Sequence, residues 1–241
     1  MVADGGWRPT RSLDRDSRLA KAAKIVTLIE QRRALSGARL LEIGTGGGII
    51  ASVLAERVGP LGDVVSVDVE DFRSITEGYA FEMVEGVELP FTDRTFDVVV
   101  SNHTIEHVGG SEEQLVHLCE MARVLRPDGL GYLASPSRWA LVEPHFKVPF
   151  LSWLPPVARS DALRLLRRGS VYDVNPRTRG ELLQLIERAG LHATDVTVDA
   201  LRVTLQVERP GVLARAIEAV PEHVLRMARR AIPTIVFMLH H

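Results

Sequence analysis

The apolar run Arg39-Leu40-Leu41-Glu42-Ile43 leads straight into Gly44-Thr45-Gly46-Gly47-Gly48. A turn without Cβ atoms lets backbone come close to a ligand. The spacing is not that of a dinucleotide turn, G-x-G-x-x-G, which wants a third small residue where Ile49 stands. Glu42 sets a carboxylate two residues before Gly44, which suits a cationic ligand and is a poor neighbour for a pyrophosphate. Asp68 closes a second apolar run, Val64 to Val67, 24 residues after Gly44. An acid at that place can accept both ribose hydroxyls of a bound nucleoside.

Candidate bases lie in two other places. His103 and His107 follow a third apolar run, Asp97 to Ser101; Glu143 and His145 stand in Glu143-Pro144-His145-Phe146. Imidazole and carboxylate are the usual general bases near neutral pH. The string His103-Thr104-Ile105-Glu106-His107 has the H-x-x-E-H form of some zinc enzymes. A metal would need those residues on one helix with a third ligand nearby, and here they leave a strand, so no metal site is expected. His107 is expected to be structural. Cys119 is expected in the core.

These residues must be held by strands and helices in alternation. Residues 13–36 have a helical period, with Ala22, Ile25, Val26 and Ile29 on one stripe. Ile49 to Val58 reads as a helix closed by Gly59-Pro60, and Phe81 to Glu85 as a strand. Ser111-Glu112-Glu113-Gln114 has a capping-box form ahead of Leu115, Leu118, Cys119 and Ala122. That helix is expected to end by Pro127-Asp128-Gly129, with a strand from Leu130 to Ala134. Thr178-Arg179-Gly180-Glu181 is a second capping box, opening a helix that stops at Gly190. Val196 to Val207 reads as a long strand, 212–230 as a helix and Thr234 to Leu239 as a last strand. The alternation predicts an α/β fold with a parallel, doubly wound sheet.

Residues 136–176 break the rhythm, with six of the 13 prolines and two of the three tryptophans. They read as an insertion over the carboxyl edge of the sheet. Within it, Pro149-Phe150-Leu151-Ser152-Trp153-Leu154-Pro155 is followed by Arg159, Arg164, Arg167 and Arg168. A lid helix with an apolar underside and solvated arginines is one reading; an interfacial anchor for a lipid-like substrate is the other.

Leu41 to Gly48 resembles the first motif of class I S-adenosylmethionine-dependent methyltransferases. Val87-Glu88-Leu89-Pro90-Phe91-Thr92-Asp93-Arg94-Thr95-Phe96-Asp97 is similar to the LPF-x-D-x-x-F-D signature of the branch holding the quinone C-methyltransferases and many small-molecule methyltransferases. Ile105-Glu106-His107-Val108 and Ala122-Arg123-Val124-Leu125-Arg126-Pro127-Asp128-Gly129 complete the resemblance. It implies a Rossmann-like sheet with an antiparallel last strand. It also implies an N-terminal helical cap (1–36), a cofactor-binding core (37–136), a substrate lid (137–176) and a C-terminal half of the sheet (177–241).

The resemblance implies S-adenosyl-L-methionine as cofactor. Gly44, Thr45, Gly46 and Gly48 would line its methionine and ribose side, Glu42 would orient the amino group, and Asp68 would hold the ribose. Val69 would pack on the adenine. Glu85 and Gly86 stand where the family often has Asp-Ala, so Glu85 would reach the adenine amine with a longer arm. Ser101 and Asn102 would meet the methionine part. The sulfonium methyl is already activated, so a base is needed only where the acceptor must lose a proton. His103, His145 and Glu143 are the candidates.

Composition bounds the rest. Formal charge is −2, without the basic footprint of a nucleic-acid binder. Residues 150–241 carry 13 Arg against 9 acids, weak evidence for an anionic substrate or membrane surface. Lys21, Lys24 and Lys147 are the only lysines, a bias of GC-rich bacterial chains. One cysteine, no long apolar run and a polar start read as a cytoplasmic protein. The expected activity is O-methylation of a small molecule in bacterial secondary-metabolite, quinone or cell-envelope biosynthesis. C- or N-methylation stays open, as do a nicotinamide-dependent oxidoreductase, a non-catalytic binder of the cofactor, and a monomer or homodimer.

Overall fold

The computed structural model describes residues 15–207, 211, 217, 219–229 and 232–241. Strands β1 (Arg39–Ile43), β2 (Asp63–Asp68), β3 (Ala80–Met83), β4 (Phe96–Asn102), β5 (Leu125–Pro136), β6 (His192–Asp195) and β7 (Thr234–His240) form one sheet. Their order is β3-β2-β1-β4-β5-β7-β6. The first five pair in parallel, and β7 runs antiparallel to both β5 and β6. This is a Rossmann-like doubly wound sheet with the antiparallel strand expected near its end.

Helices α1 (Arg15–Glu30), α2 (Ile49–Val58) and α6 (Thr197–Val207) cover one face; α3 (Ser111–Val124) and α5 (Arg179–Arg188) cover the other. Alternate residues of each central strand feed the two cores. Val98 and Val100 of β4 pack under α1 and α2, while Phe96 and Val99 pack under α3. The unbroken β-branched run of β4 is what burial on both faces demands. The stripe Ala22, Ile25, Val26 and Ile29 on α1 is buried as its period predicts. Residues before 15 lie outside the described residues, as does much of the expected helix 212–230, of which α7 (Glu222–Ala228) is described.

Four expectations about the frame are corrected. The expected strand Val196 to Val207 is instead helix α6 from Thr197 onward. Asp195 accepts from the Thr197 N–H at 3.0 Å, the Thr197 hydroxyl joins Val236 on β7, and Val196, Ala200 and Val203 pack into the core with α1. Tertiary packing overrides the β preference of that stretch, and the short strand β6 takes the sheet edge instead. Helix α3 starts one residue earlier than its box suggested: Gly110 is the N-cap, and the Glu113 carboxylate accepts its N–H at 2.9 Å. Its inward face carries Gln114, His117, Leu118 and Met121, and Cys119 is exposed. That face hides two polar groups because both are bonded, Gln114 to Asn175 O and Arg177, and His117 to Ser101. The second box is as expected: Thr178 Oγ1 accepts from Glu181 N, and Glu181 accepts from Thr178 N.

The fourth correction falls in the 137–176 segment. It folds on a small core of its own, Phe146, Val148, Leu151, Leu163 and Val174, with a 3-10 turn at Leu151–Trp153 and helix α4 (Pro156–Leu165). Arg159 is buried rather than solvated, donating to Leu154 O and Ser152 O. Trp139, Phe150 and Trp153 make an edge-to-face group on the outside, each about half exposed. No helix among the described residues is long and apolar enough to cross a membrane.

Candidate functional site

The strand order reverses between β1 and β4, and in such sheets ligands settle at the carboxyl ends of those strands. A cavity of about 770 Å³ lies there. Gly44, Thr45 and Gly46 line it from the turn after β1, Asp68 and Val69 from the end of β2, and Asn102, His103 and Thr104 from the end of β4. Its size and mixed lining suit a ligand larger than a single amino acid.

The glycine turn is built for close approach. Gly44, Gly46 and Gly48 all have positive φ, at 90°, 51° and 82°. A Cβ on Gly44 would collide with the Thr104 hydroxyl, which donates to Ile43 O at 2.9 Å. Gly44→Ala is expected to lose cofactor affinity and, through its φ alone, about 1–3 kcal/mol of stability. Thr104→Ala in the same chain should restore part of the affinity and little of the stability; a ligand titration beside a thermal melt checks both. A Cβ on Gly48 would strike Ile75 O and the Tyr79 hydroxyl, so Gly48 serves close packing and, contrary to expectation, does not line the cavity.

Behind the turn runs a buried polar chain. Thr45 Oγ1 and Ser66 Oγ are 2.6 Å apart, and Ser66 donates to Glu42 Oε2 at 2.7 Å. Glu42 Oε1 is buried with no hydrogen-bond partner. Burial pushes the Glu42 carboxyl up to about 8; the Ser66 bond opposes this, the Asp68 charge adds to it, and Arg18 opposes it. Glu42 stands behind the wall rather than in it. Asp68 is held for use, its Oδ2 accepting from Gly46 N and its Oδ1 from Val69 N, both at 2.8 Å. An orphaned buried carboxylate oxygen, an oriented acid and a turn with no room for a Cβ together fit a cationic nucleoside ligand.

Two expected contacts are not made. Glu85 is exposed and does not line the cavity, whereas Val84, Gly86 and Val87 do. The Glu85 side chain faces water. Ser101 is buried and its hydroxyl is 3.0 Å from His117 Nε2; His117 lines the cavity in its place. Burial pushes His117 down to about 4, so it is neutral near pH 7.

The histidines gather on one wall. His103 has φ 57°, a strained value for a residue with a Cβ, of the kind that clusters at functional sites. Its Nδ1 lies 3.2 Å from Oε1 of the fully buried Glu106. Burial works to raise the Glu106 pKa, yet the His103 bond and the surrounding imidazoles hold it below its ordinary value. His145 Nδ1 lies 2.7 Å from Glu143 Oε1, and Glu143 Oε2 accepts from Phe146 N. Glu143 is buried and does not line the cavity, whereas His145 does. His107 does not disappear into a packed turn. It lines the cavity with its Nε2 3.2 Å from His145 Nε2.

Sequence reasoning missed Arg18, Lys21, Phe72, His117, Lys147 and Asp173, which also line the cavity. One signal was available: in an arginine-rich chain, two of the three lysines face this site.

Residues 41–133, which carry most of this wall, match the family model described as a methyltransferase domain. The match identifies a methyltransferase domain, and the chain resembles the class I S-adenosylmethionine-dependent methyltransferases. It is 25% identical to the ubiquinone/menaquinone biosynthesis C-methyltransferase of Cupriavidus metallidurans over 70% of this chain and 74% of that one. It is 31% identical to the ubiquinone biosynthesis O-methyltransferase of Rhizobium etli, over 68% and 64% of the two chains. It is 30% identical to the nocamycin O-methyltransferase of Saccharothrix syringae, over 78% and 64%. Against the C-methyltransferase of Pseudomonas putida the chain spans 43% of that protein's length. In fold it resembles an S-adenosylmethionine-dependent methyltransferase of Mesorhizobium loti (TM-score 0.58, 15% identity, 92% and 100% covered). It also resembles a geranyl diphosphate methyltransferase solved with S-adenosylmethionine (TM-score 0.54, 15% identity, 93% and 88% covered). The methyltransferase match and the fold together support S-adenosylmethionine as the methyl donor.

Proposed function

We propose that this methyltransferase acts on a hydroxyl oxygen of a small-molecule acceptor, in bacterial secondary-metabolite, quinone or cell-envelope biosynthesis. The observation that carries this reading is the pair of cavity histidines, His103 and His145, each with Nδ1 against a buried carboxylate. A carboxylate that accepts from Nδ1–H leaves the lone pair on Nε2, the tautomer of a general base. Transfer to a free amine would need no such base. The O-methyltransferase names among the relatives support the same reading.

For the cofactor, we assign Asp68 to the ribose hydroxyls and Val69 to the adenine face, with exposed Phe72 beside it. Gly44, Thr45, Gly46 and Asn102 hold the methionine part by close backbone approach. Arg18, whose Nη1 reaches the Gly46 side of the turn, faces its carboxylate. Glu42 contributes negative charge from behind once it is ionised, which a cation in the cavity favours. The cofactor supplies a methyl group activated by its sulfonium, so the protein's task is alignment and exclusion of water. With the cofactor bound, Nε2 of a histidine would take the proton of the acceptor hydroxyl as its oxygen receives the methyl group. The 137–176 segment serves as the lid, bringing Pro144, His145, Lys147 and Asp173 to the cavity.

The test is release of S-adenosylhomocysteine with each of a panel of phenols, aliphatic alcohols, carbon acids and amines, products being placed by mass spectrometry. Turnover with hydroxyl acceptors is expected, and His103→Ala should lower kcat by about 10²–10⁴ at neutral pH with cofactor affinity unchanged. Products methylated on carbon or nitrogen would refute the oxygen assignment. Cofactor binding with no turnover on any class would favour a binding protein.

A further inference from the structure

One cluster on the histidine wall brings together groups from segments far apart in the chain. Glu106 and His107 stand on the 3-10 turn Ile105–His107 after β4, and His145 arrives from the 137–176 segment. By sequence, the string from His103 to His107 lacked a third ligand; the fold supplies it. One ligand atom from each of Glu106, His107 and His145 lies within 4.8 Å of the others.

Three details point to a cation. The two Nε2 atoms face each other at 3.2 Å, and two nitrogens bound to one tetrahedral zinc at about 2.0–2.1 Å sit about 3.3 Å apart. Glu143 Oε1 at 2.7 Å from His145 Nδ1 turns the Nε2 lone pair of His145 toward that meeting point. A carboxylate behind a ligating histidine is the usual second partner at metal sites. Glu106 is fully buried; its Oε1 is 3.6 Å from His145 Nε2, and its Oε2 is buried without a hydrogen-bond partner. A buried carboxylate oxygen left so is costly, and a bound cation removes the cost.

We propose that Glu106, His107 and His145 bind a divalent transition-metal cation of the zinc class, oriented by Glu143 and with an open coordination position toward the cavity. Two histidines and one carboxylate with a free position is a ligand set of zinc sites that bind water or substrate. The role of that position rests on the hydroxyl reading above: it takes the acceptor oxygen, lowers the pKa of its proton and orients it toward the methyl group. His145 Nε2 then holds the ion, and His103 receives the proton.

The metal site can be tested without any acceptor, so its failure and that of the hydroxyl reading are separable. The full chain is stripped with a chelator and titrated with Zn²⁺ by calorimetry and with Co²⁺ by visible absorption. A single tight equivalent is expected, with d–d bands of a nitrogen and oxygen site. His145→Ala, His107→Ala and Glu106→Gln should each weaken uptake at least about tenfold, and Glu143→Gln about 10–100-fold, with S-adenosylhomocysteine affinity unchanged as proof of folding. The double change His240→Ala, His241→Ala should leave the equivalent intact. Lack of a stoichiometric site in the wild-type chain, or full uptake by a folded His145→Ala, overturns the proposal. If a variant fails to bind S-adenosylhomocysteine, the wild-type Co²⁺ complex decides: two paramagnetically shifted imidazole N–H or C–H sets support the site, and their absence refutes it.

Discussion

Asp68→Ala is expected to remove measurable binding of S-adenosylmethionine and S-adenosylhomocysteine while leaving the fold intact. Asp68 stands at the carboxyl end of β2 and lines the cavity. Its two oxygens are already oriented by Gly46 N–H and Val69 N–H, so little freedom is lost when a ligand arrives. Two ribose hydroxyls donating to an ionised carboxylate contribute about 1.5–3 kcal/mol each. Losing both lowers affinity by roughly two to four orders of magnitude. The side chain is only half-buried at a turn, and its own partners are backbone groups that water can reach, so stability should change little. Calorimetric titration of both chains with the two sulfur compounds and with NAD checks this. NAD should bind neither, since Ile49 fills the place of the third small residue and Glu42 lies behind the turn. Binding of NAD alone would put the oxidoreductase reading first. Unchanged affinity in Asp68→Ala would move the ribose elsewhere in the cavity.

A second large effect concerns pH. Burial pushes Glu42 up to about 8 from an ordinary 4.5. In the unfolded chain this carboxyl ionises near 4.5; in the folded, ligand-free chain it keeps its proton to about 8. Between those values the folded state holds the extra proton, so stability falls as pH rises through the window and levels off above it. The size of the change is on the order of a few kcal/mol. Glu42→Gln keeps a partner for Ser66 and cannot ionise. Denaturant melts from pH 5 to 9 should therefore show a slope in the wild-type chain that is much reduced in the variant. Equal slopes in the two chains would show that Glu42 does not titrate as its burial demands. A cation in the cavity favours the ionised form, so affinity for S-adenosylmethionine should rise with pH toward 8. Affinity for S-adenosylhomocysteine, which lacks the sulfonium charge, should rise less.

The half of the site that binds the cofactor was legible because it is local. A strand, a glycine turn, a helix and an acid at the end of the next strand are neighbours in sequence, and the parallel sheet sets β1 beside β2 in register. Gly44, Thr45, Gly46, Asp68, Val69, Gly86 and Asn102 all reach the cavity as read. Failures within this half turn on side-chain direction. Glu85 and Ser101 have the right types and spacing, but their side chains turn to water and into the core, and Gly48 packs against a neighbouring loop.

The acceptor half was barely legible. His103 and His145 were singled out one by one, yet nothing in their spacing placed His145 against His107, 38 residues away. Similarly, α6 carried a strand's residue types and became a helix once β6 had taken the sheet edge and α1 offered a face to pack on. The burial of Gln114 and His117 and the exposure of Cys119 follow from which face of α3 packs on the sheet.

By itself, then, the chain's sequence determined the order of strands and helices, the glycine turn and the acid that answers it. Backbone propensity, hydrophobic period and short-range spacing suffice for those. Only the tertiary structure decided which polar side chains are buried, which carboxylate stands behind which imidazole, and that Glu106, His107 and His145 converge. Such contacts are set by how separate segments pack over the sheet edge, where a single buried hydrogen bond outweighs local preference.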